Sequence, residues 1–125
     1  MKQIQSPDAP APVGPYSQAV VHGGLAYLSG QVPLDPSSGK LVGATIEEQT
    51  SRVLANLAAV LAAAGSSWNR VLRVTVYLAD ISEFSAFNRV YADTLGGARP
   101  ARSTFQVAAL PFGARIEIDA IAAVD

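Results

Sequence analysis

The chain has 125 residues, 50% of them hydrophobic and only 15% charged, with a formal net charge of -1, one histidine and no cysteine. That length suits one core and excludes a second independent one. The charge balance excludes a basic field for nucleic acid or anionic lipid, and the composition excludes disulfides, thiol nucleophiles and a multi-histidine metal centre within one chain.

The opening stretch, MKQIQSPDAPAPVGPYSQ, has no apolar run long enough for a signal peptide, and the chain nowhere reaches the roughly 18 consecutive apolar residues of a membrane span. A soluble, cytoplasmic protein is expected, and the absence of cysteine fits that compartment. After the proline-rich lead, Ser17–Val21 and Leu25–Ser29 flank His22-Gly23-Gly24, whose glycines can take the positive φ that a hairpin turn needs, so two antiparallel strands are predicted. Pro33-Leu34-Asp35-Pro36-Ser37-Ser38-Gly39 is a dense turn cluster and reads as an exposed loop. Thr45 with Glu48 three residues on forms a capping box; Ile46, Val53, Leu54, Leu57, Leu61 and Ala64 then recur at helical spacing until Gly65.

Val71–Leu78 alternates Leu72, Val74, Val76 and Leu78 against Arg73, Thr75 and Tyr77, the period of a half-buried strand. Asp80 or Ser82 can cap a second helix whose Phe84, Phe87, Tyr91 and Leu95 form one stripe, closed by Gly96-Gly97. Arg102–Val107 and Arg115–Val124 complete the chain as strands, the second with Ile116, Ile118, Ala120 and Ala122 on one side and Glu117 and Asp119 on the other. No repeat or linker divides this order, ββαβαββ, so residues 1–125 form one α+β domain with both helices on one face of the sheet. Charged residues normally make up roughly 25% of a soluble domain. The deficit here predicts that another subunit covers the opposite face.

No GxxxxGK[ST] or GxGxxG occurs to cradle a phosphate. Three polar features remain. Tyr16 leaves a rigid proline segment, Arg102 and Ser103 follow Pro100-Ala101 at a strand start, and Glu117 projects from an otherwise apolar closing strand. Each has a plain structural reading, as an edge-packed phenol, a surface charge and a solvated strand face. His22 reads as a solvated turn residue, and a Ser-His-Asp triad would have to use it.

Taken together, GPYSQA (14–19), LSGQVP (28–33), FNRVY (87–91) and PARSTFQVAALPFGARIEIDAIA (100–122) make almost the whole chain resemble the Rid proteins, the reactive intermediate or imine deaminases also called the YjgF family. The resemblance implies a chorismate-mutase-like α+β fold with a mixed sheet, assembled as a homotrimer around a β-barrel core with active sites in the clefts between subunits. It implies that Arg102 holds a substrate carboxylate, that Glu117 positions and activates the attacking water, and that Tyr16, Ser29, Gly30, Asn88 and the backbone of Thr104 line the cleft. A planar guanidinium suits the first role because its donors form a bidentate fork. Two positions depart from the family's pattern: Thr104 stands where many members have cysteine, and Asp119 replaces a glutamate.

The implied reaction is hydrolysis of small 2-imino acids to 2-oxo acids and ammonia, with no metal or organic cofactor, no nucleic acid and no membrane as partner. A conjugated imine is already electrophilic, so orientation beside a water and the handling of one proton can carry the reaction. Three alternatives stand beside it: a non-catalytic trimer that binds small carboxylates and regulates a partner, an aminoacrylate-processing enzyme of pyrimidine breakdown, and an RNA-cleaving role. The net charge of -1 disfavours the last. Retention of both Arg102 and Glu117 favours hydrolysis, since a binder needs only the arginine.

Overall fold

The computed structural model describes residues 1–125 as one mixed sheet with two helices on a single face. The strands are β1 (Lys2–Ile4), β2 (Ala19–His22), β3 (Leu25–Gln31), β4 (Val71–Leu78), β5 (Ala101–Gln106) and β6 (Ile116–Ala123), and the helices are α1 (Ile46–Ala63) and α2 (Phe84–Leu95). The sheet order is β1-β2-β3-β6-β4-β5, antiparallel throughout except for the parallel pair β4 and β5. The expected order therefore holds, with one strand added at the start. β1 is too short to show an alternation, and it forms because β2 offers it a free edge on which Ile4 can be buried against the core.

The hairpin between β2 and β3 turns at Gly23 and Gly24, with φ of 61° and 79°, and pairs His22 with Leu25. These two left-handed residues match the twist of the flanking strands, as expected. α1 starts at the predicted box: Thr45 Oγ1 accepts from the Glu48 backbone N–H at 3.2 Å and donates to Glu48 Oε1 at 3.1 Å. Its stripe of Val53, Leu54, Leu57 and Leu61 is buried, and so are Val74, Val76, Leu78, Ile116 and Ile118 of the sheet, all in one cluster with Phe87, Tyr91 and Leu95 of α2.

Three expectations need correction. Leu72 does not share the buried side of β4: it is 49% exposed, because the register between β4 and β6 shifts between Val71 and Arg73. A bulge places an extra residue in the strand and breaks its alternation there. The 33–39 turn cluster is not wholly exposed, since Leu34 is buried and its carbonyl accepts from Asn56 Nδ2 of α1 at 3.0 Å. Asp80 caps only a short 3₁₀ turn by accepting from the Ser82 N–H at 2.9 Å, and α2 begins beyond it at Phe84 without a side-chain cap.

The other face of the sheet carries no helix. Tyr27 and Phe105 are 47% and 45% exposed there, and Tyr77 meets Phe105 edge to face with ring centres 5.3 Å apart. β5 lies at the sheet edge, hydrogen-bonded on one side only.

Candidate active site

Alternation along β6 sends Ile116, Ile118 and Ala120 into the core and turns Glu117 and Asp119 to the helix-free face. Opposite them, the pairing of β3 with β6 skips from Leu28 and Ala120 to Gln31 and Ile118, so Ser29 and Gly30 form a bulge beside the acidic pair. Gly30 is needed at this point for space. A Cβ there would lie 2.9 Å from Glu117 Cδ and would overlap its Oε2, so any side chain would displace the carboxylate.

The neighbouring N-terminal segment is fastened by Gln18, which is buried. Its amide Nε2 donates to the carbonyls of Ser6 and Pro10 at 3.2 and 2.9 Å, and its Oε1 accepts from the Ser6 N–H at 2.6 Å. Ser29 secures the same segment from β3 by donating its hydroxyl to the Ser17 carbonyl at 2.6 Å. Tyr16, at the exit of the proline segment, stays half exposed and accepts from the Val13 N–H at 3.3 Å. The result is a cavity of about 380 Å³ in which Tyr16, Ser29, Gly30 and Glu117 meet Val13 and Phe112.

A second cavity, of about 280 Å³, lies between α2 and the start of β5 and brings together Asn88, Tyr91, Arg99 and Arg102. Arg102 pairs in register with Val74, so its side chain is on the helix side of the sheet. Its guanidinium carbon sits 4.8 Å from the ring centre of Tyr91, 5.3 Å from that of Phe87 and 5.6 Å from that of Phe84. Such contacts attract the cation but leave its charge without a counter-ion, and Arg102 forms no salt bridge in the chain. Thr104, two residues along β5, has a buried hydroxyl with no hydrogen-bond partner, as does Tyr91.

One chain therefore gathers the expected residues in two groups. Tyr16, Ser29, Gly30 and Glu117 share the first cavity; Asn88 and Arg102 share the second, with Thr104 beside it on β5. Glu117 is in register with Tyr77 on one face, whereas Arg102 is in register with Val74 on the other. Glu117 and Arg102 thus do not meet within one chain.

Two participants were not legible beforehand. The Tyr77 hydroxyl donates to Asp119 Oδ2 at 2.7 Å, and this bond, with burial, pushes the phenol up to about 12. Phe112 lies at the wall of the Glu117 cavity in a left-handed backbone conformation. The cross-strand register that brings Tyr77 opposite Glu117 depends on β4 and β6 meeting, and no local pattern states it.

Burial raises the Glu117 carboxyl above its ordinary range, and the nearby negative charge of Asp119 raises it further. A carboxylate of this kind is a stronger base than a solvated one. If it must be ionised to act, kcat/KM rises with pH along an acid limb placed above the ordinary glutamate value of about 4.3. Asp119→Asn removes the smaller of the two causes, so its limb is expected at lower pH than in the native protein, though still above the ordinary value. A pH profile of both proteins checks this, and a limb that does not move would remove Asp119 as a cause.

The family described as Endoribonuclease L-PSP matches residues 6–124. The chain belongs to this family, the YjgF or Rid family. The mouse protein named 2-iminobutanoate/2-iminopropanoate deaminase is 50% identical over 121 residues, covering 97% of this chain and 90% of its own. Among solved structures, RidA from an Antarctic Psychrobacter superposes with a TM-score of 0.95 at 41% identity, covering 99% of this chain and 100% of that one. E. coli TdcF, solved with bound serine, superposes with a TM-score of 0.94 at 36% identity over the whole of both chains. The α+β fold expected from the Rid resemblance is thus the fold observed. No helix is long and apolar enough to cross a membrane.

Proposed function

We propose that this Rid protein hydrolyses small 2-imino acids, of the 2-iminopropanoate and 2-iminobutanoate type, to 2-oxo acids and ammonia in a homotrimer with sites between subunits. The observation that carries the reading is a pair of unmatched charges. Glu117 is a partly buried carboxylate with no cation beside it, and Arg102 is a guanidinium with no acid beside it, each at the wall of its own cavity. Placed across an interface, one holds the carboxylate of the substrate and the other faces its imine carbon. The mouse relative named 2-iminobutanoate/2-iminopropanoate deaminase, at 50% identity, supports the same chemistry.

In this mechanism the Arg102 fork grips the substrate carboxylate, and Asn88 and Thr104 complete the surroundings of that end. Water, oriented by Glu117, adds its oxygen to the imine carbon and gives up a proton to the carboxylate. The carboxylate passes that proton to the imine nitrogen, giving the carbinolamine; it then carries the hydroxyl proton to the nitrogen as the C–N bond breaks, so the nitrogen leaves as ammonia and the 2-oxo acid remains. One water is consumed and no electrons change hands. Orientation and the two proton transfers through Glu117 supply the rate. Tyr16 closes the cavity over the alkyl group.

The test generates 2-aminoacrylate with a serine dehydratase and follows loss of the imine. A rate above the spontaneous one is expected; an unchanged rate would sink the reading. A second reading, a non-catalytic trimer that binds small carboxylates, is favoured by one observation, the serine bound to the related TdcF. It predicts binding of 2-oxo acids with no faster imine loss.

The trimer is itself testable. Its support is the 15% charge content together with the helix-free face bearing Tyr27 and Phe105, and the open edge of β5. Light scattering at micromolar concentration is expected to give three chain masses, and a monomer mass near 13.0 kDa would remove the intersubunit site as well.

A further inference from the structure

Phe112 breaks a local rule. The Gly113 N–H donates to the Leu110 carbonyl at 3.3 Å, closing a turn with Pro111 and Phe112 at its two central positions. Pro at the first of these is ordinary, but Phe112 has φ 62° and ψ 14°, the left-handed geometry of the second central residue of a type II turn. Glycine or asparagine is the usual occupant, because a larger side chain crowds the backbone there. Phe112 is the one non-glycine residue with positive φ in the chain.

Nothing in the fold's own packing accounts for it. Phe112 is 53% exposed and lies outside the hydrophobic cluster, so its ring is not held in place by the core. What it does is line the cavity that contains Glu117, together with Val13, Val32 and Leu34. These four give the cavity that holds Glu117 an apolar wall, and no cationic side chain lines it. A strained residue kept against local preference is commonly found where a site needs that side chain.

We infer that Phe112 is a specificity-determining residue: its ring forms the apolar wall against which the substrate's side chain packs, and the site therefore favours 2-imino acids with larger apolar substituents over the methyl compound. This rests on the proposed function, since it takes Glu117 to face the imine carbon. A methyl group covers little of a wall built from Val13, Val32, Leu34 and Phe112, whereas an isobutyl group can bury itself there.

Phe112→Asn tests it, because asparagine tolerates the left-handed turn and removes the ring. The expected result has two opposite signs. Tm rises by a few degrees as the strain is relieved, while kcat/KM for the imine with an isobutyl group falls about 10- to 100-fold relative to that for the methyl imine. Phe112→Leu, which keeps an apolar side chain at the same place, retains the native preference. The same comparison is made by calorimetry with the corresponding 2-oxo acids, pyruvate and 4-methyl-2-oxopentanoate, so binding is read without turnover. A binding ratio that shifts in a protein with no deaminase activity would leave the wall standing and overturn only the proposed reaction. An unchanged ratio in Phe112→Asn, by both kinetics and binding, or a fall in its Tm, would overturn the inference.

Discussion

Glu117→Gln is expected to leave trimer and 2-oxo acid binding intact while lowering turnover about 10²- to 10⁴-fold, the usual worth of a general base. Glutamine keeps the size and one acceptor oxygen of Glu117 in the space that Gly30 leaves free, but it cannot take a proton from water. Stability separates this role from a structural one. Burial and the charge of Asp119 raise the Glu117 pKa in the folded state, so its ionisation weakens the fold as pH rises from the unfolded pKa through the folded one. The uncharged glutamine lacks that cost, and Tm at neutral pH should be held or raised. Loss of both binding and trimer would instead make Glu117 an ion-pair partner at the interface. Full activity would move water activation to Asp119, which lies on the same face and already accepts the Tyr77 hydroxyl at 2.7 Å.

Arg102→Lys is expected to retain the trimer and lose most activity, about 30- to 1000-fold, for a cost of about 2 to 4 kcal/mol in transition-state stabilisation. Lysine keeps the charge but offers a point donor, so a carboxylate loses its two-point grip and swings away from the oriented water. The surroundings sharpen the effect. The guanidinium carbon of Arg102 lies within 4.8 to 5.6 Å of three ring centres, those of Tyr91, Phe87 and Phe84, an arrangement suited to a flat cation. Steady-state kinetics on an imine and binding of a 2-oxo acid should fall together, because both depend on the same grip. Native rates in Arg102→Lys would make the residue structural.

Much of the fold was legible because its signals are local. The Gly23-Gly24 turn, the Thr45 and Glu48 cap and the alternation of Ile116, Ile118 and Ala120 each depend on residues a few positions apart, and each stands in the structure as read. Leu72 was misplaced for the opposite reason. Its side is set by a bulge in the pairing of β4 with β6, whose residues come from distant parts of the chain. β1 was missed because three residues carry no period, and only an available edge on β2 makes them a strand.

For the site, the chain by itself determined which chemistry was open. Without cysteine, and with one histidine and no phosphate loop, the choice narrowed to carboxylate, guanidinium and phenol groups, and family motifs singled out Arg102 and Glu117 among them. Only the tertiary structure decided where those groups lie. Strand alternation turned Glu117 away from the core, a bulge at Ser29 and Gly30 made room beside it, and the parallel register with β4 sent Arg102 to the other side of the sheet. It also decided that Asp119 holds the Tyr77 hydroxyl and that Phe112 stands strained at the cavity wall. Residue types set what a group can do through its intrinsic chemistry, which a linear sequence states in full. Distances, burial and shared charge arise when remote segments pack, and they decide which groups meet and how tightly each holds its proton.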